Sequence, residues 1–309
     1  MVDDKEIKTT ISPFTIRKGE IKVFDGKDGY VSMNQIIQKI NQGIINDVHF
    51  KILEIINKYE FVTSRQIYQL LILDNIDIKN QDKVTSKLEQ LVKNKIITRY
   101  YFTSSEGKGI YRIYCLEKMG KYLLNSREIE CKWQPTDNAK PVSMIKEKLA
   151  GNQLIIAYQR KVKNLFGFEL KPVITAKLNS KTFKPVLKAS IKIKNTNLDL
   201  IYEAIRREEN WENKLVERMR LWKDFYENFV PGDSGLLRLP QLIFICEDEK
   251  HMAEVFKTLI INKCTVDNVK FYYTTDMQQN LEELNKSFFE FVEESGKYKM
   301  KNLDIKILG

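Results

Sequence analysis

The chain has 309 residues, of which 43% are hydrophobic and 11% aromatic, so it is long enough for two domains with ordinary cores. This composition excludes wholesale disorder. Lys and Arg number 51 against 41 Asp and Glu, and the formal net charge of +10 favours a polyanionic partner such as nucleic acid.

Membrane, secreted and metal-binding classes have no support in the sequence. No apolar run approaches the roughly 18 residues of a membrane-spanning helix. The first residues, Met-Val-Asp-Asp-Lys, lack the apolar core of a signal peptide, so we expect a cytoplasmic protein without a membrane partner. The cysteines and histidines are scattered along the chain: Cys115, Cys131, Cys246, Cys264, His49 and His251. We therefore expect inert buried thiols, no metal site and no cofactor.

The positive charge is concentrated in part of the chain. Residues 1–142 carry 23 basic and 18 acidic side chains, residues 143–200 carry 12 and 3, and residues 201–309 carry 16 and 20. The net charges are therefore +5, +9 and −4. A uniform excess of lysine from codon usage does not explain this distribution, so the two positive regions are the candidates for contact with a polyanion.

Residues 1–45 form the first predicted segment. The alternating stretch FTIRKGEIKVF, interrupted by Lys18 and Gly19, predicts a pair of short strands. SMNQIIQKI predicts a helix that begins after the N-cap Ser32. We assign no function to this segment.

Residues 46–129 contain the clearest pattern in the chain. The stretches NDVHFKILEIINKY, TSRQIYQLLIL and KVTSKLEQLVKNK predict three helices. IITRYYF and IYRIYCL predict two strands on either side of the tip TSSEGKG, and EKMGKYLL predicts a closing helix. This order of elements is that of an α+β winged helix-turn-helix domain, which binds DNA.

The third predicted helix and the strand tip are the candidate DNA-binding elements. Such a helix is apolar toward the core and polar or basic toward the major groove. Between Lys79 and Arg112 there are eight basic and three acidic side chains. The candidate DNA-binding residues are Lys79, Gln81, Lys83, Thr85, Ser86, Lys87, Gln90, Arg99, Lys108 and Arg112. The alternative is a winged helix that contacts protein and whose charges are simply solvated.

The second half of the chain is predicted as an α/β domain. ECKWQPTDNAKPVS, with its two prolines, predicts a linker over residues 130–143. Strands alternate with helices over residues 144–309, and MQQNLEELNKSFFEFVEE predicts a last helix. No glycine-rich nucleotide-binding motif is present in the sequence.

Stretches in both halves carry a resemblance to a known family. They are FVTSRQIYQLL, LEQLVKNKIITRY, YRIYCLEKMGKYLL and YEAIRREENWENKLVERMRLWKDFYENF. Over roughly residues 50–260 the chain resembles the replication-relaxation family of plasmid and conjugative-element proteins of Gram-positive bacteria. Leu116, Gly120 and Leu124 stand at family positions, with Glu117 in place of Thr.

The same resemblance implies a degenerate restriction-endonuclease-like core in the second half of the chain. The family has a strand that ends in Glu, an apolar residue, Asp and Arg. Glu203 and Arg206 match, but Ile205 replaces the Asp, and Val186 replaces the Asp that follows a proline upstream. Because Mg²⁺ binding requires several carboxylate oxygens, we expect no enzymatic activity and no metal. Glu203 is the catalytic candidate for the alternative, a metal-dependent DNA nuclease or nickase.

The most basic region contains a second set of candidate contacts. Lys188, Lys192 and Lys194 alternate along a predicted strand, a pattern suited to secondary phosphate contacts. The alternative is an edge strand that its lysines protect from aggregation.

These observations together favour a sequence-specific double-stranded DNA-binding protein. The resemblance implies the process, which is replication initiation or relaxation and conjugation of a plasmid or mobile element; the residues themselves support only DNA binding. The expected partners are double-stranded DNA at an origin of replication or transfer, a second copy of the chain, and a helicase or relaxase. A further possibility is an adaptor that recruits the helicase or relaxase through the acidic residues 201–309.

Overall fold

A computed structural model of the chain describes residues 12–178, 180–278 and 283–308, apart from the side chains at positions 108, 110 and 307. The chain folds as two units. The N-terminal unit comprises Ile16–Arg160, and the C-terminal unit comprises Lys161–Gly309 with the described residues before Ile16.

The N-terminal unit combines helices with one sheet. Its helices and strands are β1 (Ile21–Phe24), α1 (Met33–Asn41), α2 (Asp47–Tyr59), β2 (Val62–Thr63), α3 (Ser64–Leu73), α4 (Gln81–Lys93), β3 (Ile97–Ser104), β4 (Gly107–Leu116), α5 (Lys118–Asn125) and α6 (Val142–Lys161). The four strands form an antiparallel sheet in the order β1-β3-β4-β2. The helices and strands predicted between residues 46 and 125 are therefore present in the predicted order, with β2 added.

The predicted strand pair in the first segment is only partly present. Residues 12–20 form turns, and β1 is the single strand. Its partner is β3, with Ile21 opposite Thr103 and Phe24 opposite Tyr100. The alternating pattern therefore predicted a strand correctly but not its partner. Strand β1 pairs with β3 because the edge of β3 offers free backbone donors and acceptors.

Local capping and apolar spacing explain the helices of this unit. The Thr63 hydroxyl accepts the backbone N–H of Gln66, and the Gln66 side chain accepts the backbone N–H of Thr63, so α3 begins with a reciprocal capping box. Helix α2 buries Phe50, Ile52 and Leu53 against its neighbours. The same rules place the start of α4 after Asn80.

Helix α6 belongs mainly to the N-terminal unit, whereas the predicted boundaries placed residues 130–143 in a linker and 144–309 in the second domain. The Asn152 amide donates to the backbone oxygens of Tyr59, at 3.2 Å, and Phe61, at 2.9 Å. The Gln66 amide donates to the Leu149 oxygen at 2.9 Å. Most residues of α6, polar ones such as Lys146 and Asn152 included, are buried, so no apolar stripe in its sequence indicates which unit it joins.

The C-terminal unit is built on a mixed sheet of seven strands. Its elements are β5 (Leu165–Leu170), β6 (Ile174–Ala176), β7 (Lys181–Phe183), β8 (Leu187–Ile193), β9 (Thr196–Ala204), α7 (Trp211–Glu227), β10 (Gln241–Cys246), α8 (Glu249–Ile261), β11 (Phe271–Thr275), β12 (Phe288–Glu294) and β13 (Lys297–Leu303). The sheet order is β13-β12-β11-β10-β9-β8-β5, while β6 and β7 pair separately. Strands β9, β10 and β11 are parallel, and the other pairs are antiparallel.

Helices α7 and α8 connect the parallel strands and share one core with them. Trp222 of α7, Met252 of α8 and Phe244 of β10 are completely buried in the same apolar cluster. Short connections do not link parallel strands, so a crossover helix follows β9 and another follows β10. No helix in the described parts of the chain is long and apolar enough to cross a membrane.

The predicted last helix is wrong over its second half. Residues 288–294 form β12, which pairs with β11 and β13; positions 279–282 of the predicted helix lie outside the described residues. Ser295 and Gly296, both with positive φ, make the two-residue turn between β12 and β13. The aromatic and β-branched residues of FFEFVEE pack in the sheet, which overrides their helical spacing.

Candidate nucleic-acid interface

Helix α4 presents a polar face opposite a buried apolar stripe. The Asn80 side chain accepts the backbone N–H of Lys83 at 3.1 Å and so fixes where the helix begins. Val84, Leu88 and Leu91 are completely buried. This burial fixes the rotation of the helix about its axis and turns its hydrophilic residues away from the core.

Three lysines of the predicted site lie on or beside this hydrophilic face. Lys79 and Lys83 are exposed, and Lys87 is partly buried. The ion pairs of the described residues do not involve these three ammonium groups. Desolvation by partial burial lowers the pKa of Lys87, so its charged form gains more from a bound anion than that of a fully hydrated lysine.

The uncharged candidates on α4 divide into engaged and exposed side chains. The Gln81 amide donates to the Ser64 hydroxyl at 3.1 Å, and the Thr85 hydroxyl donates to the Gln81 backbone oxygen at 3.1 Å. Ser86 is exposed. The Gln90 Oε1 lies 2.7 Å from Nε2 of the buried His49. The side-chain oxygen of Gln90 is therefore engaged by His49, whereas its amide nitrogen makes no hydrogen bond to the described residues.

His49 orients Gln90 and was missed as part of the site. Its Nε2 donates to the Gln90 Oε1 at 2.7 Å, while its Nδ1 lies 3.2 Å from the backbone N of Asn46 and 2.9 Å from the Asn46 side-chain oxygen. Desolvation, followed by the charge of Lys87, lowers the pKa of His49 below 6.5 and favours the neutral imidazole. The signal in the sequence was weak, since the two partners are 41 residues apart.

Arg99 and Arg112 are committed to acids within the protein. Asp25 Oδ2 lies 3.1 Å from Arg99 Nε and 2.6 Å from Arg112 Nε, and Arg99 also pairs with Glu89. The two guanidinium groups therefore brace β3 and β4 against the segment that follows β1. The prediction treated them as free cations because Asp25 is distant in sequence.

The tip between β3 and β4 is a tight turn. Ser104 pairs with Gly107, whose φ of +109° lies in the region that favours glycine. Lys108 pairs through its backbone with Thr103, which places it at the tip. The side chain of Lys108 lies outside the described residues.

The second set of predicted phosphate contacts lies in the C-terminal unit. Lys188 pairs with Glu169 at 3.0 Å, whereas Lys192 and Lys194 are exposed. Lys188 and Lys192 share one face of β8, but Lys194 lies in the turn after it, with a φ of +51°. Strand β8 lies between β5 and β9, so the alternative of a lysine-protected edge strand is wrong.

Glu203 is a buried acid at the end of β9. The indole N–H of Trp222 donates to its Oε1 at 2.8 Å, and Arg218 lies 3.6 Å away. Desolvation raises the pKa of Glu203, which disfavours the carboxylate form that a metal ion requires. Among the described residues, no group of three His, Cys, Asp or Glu side chains is arranged to hold a metal ion.

A charged cluster that sequence reasoning missed follows the parallel strands. Arg206, after β9, makes two hydrogen bonds to Asp276, after β11, at 2.7 and 2.9 Å. The Ser12 hydroxyl also donates to Asp276. Arg207 pairs with Asp248, which follows β10. The available signal was a charged residue within two positions of the end of each buried strand, since the carboxyl ends of parallel strands meet at one edge of a sheet.

Comparison of the chain with protein-family models, curated proteins and solved structures found no match.

Proposed function

We propose that the N-terminal unit is a winged helix that binds double-stranded DNA. Helix α4 enters the major groove, and the tip between β3 and β4 contacts the phosphate backbone. One observation carries this proposal: Lys83 and Lys87 on the outward face of α4, and Lys79 just before it, form no ion pair with the described residues, while Arg99 and Arg112 are paired with acids. A DNA-binding surface requires cations that are not neutralised by acids of the protein and can therefore pair with phosphates.

The dimensions of α4 fit this role. A helix of 13 residues is about 20 Å long, and the major groove, roughly 12 Å wide, admits an α-helix. Ser86 and the two amide hydrogens of Gln90 are the polar groups available for base edges, and the lysines serve the phosphates.

We further propose that the DNA is an origin of replication or transfer on a plasmid or mobile element, and that the protein acts there without cleaving DNA. The resemblance of both halves to the replication-relaxation family supports the process. A degenerate nuclease-like core in the C-terminal unit is supported by Val186 and Ile205 at the acidic positions and by the burial of Glu203 against Trp222.

Fluorescence anisotropy with short labelled duplexes tests DNA binding. The wild type is compared with Lys83→Ala/Lys87→Ala and with the control Lys250→Ala, which removes a lysine side chain on α8 that is 84% exposed. If both α4 lysines contact phosphates, the slope of log Kobs against log salt falls by about 1.8 for the double variant. Lys250→Ala leaves the slope unchanged.

Either of two results would contradict the proposal. The first is a folded wild-type protein that fails to bind any duplex at low salt, including duplexes enriched from a random library. The second is a double variant whose slope equals that of Lys250→Ala, which would place the binding surface elsewhere.

A further inference from the structure

The segment before β1 forms a second turn beside the tip of the β3–β4 hairpin. Because Ile21 pairs with Thr103, the residues just before β1 lie level with the end of β3. The backbone N–H of Glu20 donates to the Arg17 oxygen at 3.1 Å, which closes a turn over Lys18 and Gly19, the latter with a φ of +64°.

Side-chain contacts hold this turn against the hairpin. Arg17 Nη1 donates to the Gly107 backbone oxygen at 3.1 Å, at the start of β4. Its Nε and Nη2 both contact Glu20 Oε1 at 3.2 Å. The turn at 17–20 and the turn at 104–107 are therefore two adjacent tips of one three-stranded ribbon.

In this turn the charge of Glu20 is neutralised, and Lys18 can pair with an external anion. The Glu20 side chain is 1% exposed and is neutralised by Arg17 and by Lys146, at 2.5 Å. Its carboxylate therefore does not repel an approaching anion. Lys18 is exposed, and the ion pairs of the described residues do not include it.

We propose that the turn at 17–20 is a second phosphate-binding tip, in which Lys18 contacts the DNA backbone next to the β3–β4 tip. This inference rests on the proposed function. Adjacent strands are roughly 5 Å apart, so a duplex that meets the β3–β4 tip comes within reach of the long Lys18 side chain. The ligand is the sugar–phosphate backbone, and the contact is independent of sequence.

The test is the salt dependence of binding to a labelled duplex by the full chain. Lys18→Ala reduces the slope of log Kobs against log salt by about 0.9, which corresponds to binding about eightfold weaker at 0.1 M salt. Lys18→Arg retains the wild-type slope. The matched control is Lys27→Ala, which removes an exposed lysine of the same segment beyond the opposite end of β1.

The outcomes separate this inference from the proposed function. If Lys83→Ala/Lys87→Ala weakens binding but Lys18→Ala behaves as wild type, DNA binding stands and the second tip is refuted. Equal losses for Lys18→Ala and Lys27→Ala also refute it, because they reflect net charge alone. If the wild type binds no duplex at low salt, both proposals fall.

Discussion

His251 makes the stability of the C-terminal unit depend on pH. It lies at the start of α8 and is completely buried. Its Nδ1 accepts the backbone N–H of Glu247 at 3.2 Å, and its ring packs edge-to-face on Trp211 with centroids 5.0 Å apart. Desolvation, and then the charges of Arg207 and Arg206, lower the pKa of His251 from 6.5 to about 3.

The sign and size of the effect follow from this shift. Between pH 6.5 and about 3, the unfolded chain binds a proton at His251 that the folded protein does not bind. Stability therefore falls as the pH is lowered through this window, by up to about 1.4 kcal/mol per pH unit. Lowering the pH from 7 to 5 costs about 2 kcal/mol from this group alone.

Urea unfolding followed by tryptophan fluorescence measures this contribution. The free energy of unfolding is determined at pH 7, 6 and 5 for the wild type and for His251→Gln, which keeps a polar side chain but does not titrate. Carboxylates titrate in both proteins, so their difference isolates His251. We expect the wild type to lose about 2 kcal/mol more than the variant between pH 7 and pH 5. Equal losses would refute the reasoning.

Three further predictions concern buried groups. Asp276→Asn leaves the buried Arg206 guanidinium without its charged partner and destabilises the C-terminal unit by about 3–5 kcal/mol in urea unfolding; a loss below about 1 kcal/mol would contradict this. Gly120→Ala places a Cβ 2.4 Å from the Ile96 oxygen and lowers the stability by roughly 1–3 kcal/mol or more, whereas an unchanged thermal midpoint would show that the backbone gives way freely. For the nuclease alternative, the wild type and Glu203→Gln are expected to show equal, negligible nicking of plasmid DNA with Mg²⁺ or Mn²⁺; nicking by the wild type that the variant loses would establish Glu203 as catalytic.

Local patterns were sufficient for most of the elements between residues 46 and 125. Asn80 and the stripe of Val84, Leu88 and Leu91 predict both the start of α4 and its buried face. They do so because a helix terminus and a helical face depend on residues at most four or so positions apart. Lys83 and Lys93 are exposed for the same reason, as they lie outside that stripe.

Tertiary structure alone decided which charges are available and which strands pair. Asp25 neutralises Arg99 and Arg112 from 74 and 87 residues away, and His49 engages one end of Gln90. Similarly, α6 joined the N-terminal unit, and residues 288–294 became a strand between two others. Such contacts form between segments distant along the chain, so their energy depends on the whole fold. The sequence by itself thus determined where most of the helices and the basic residues lie, and the fold decided which of those basic residues are paired with acids of the protein.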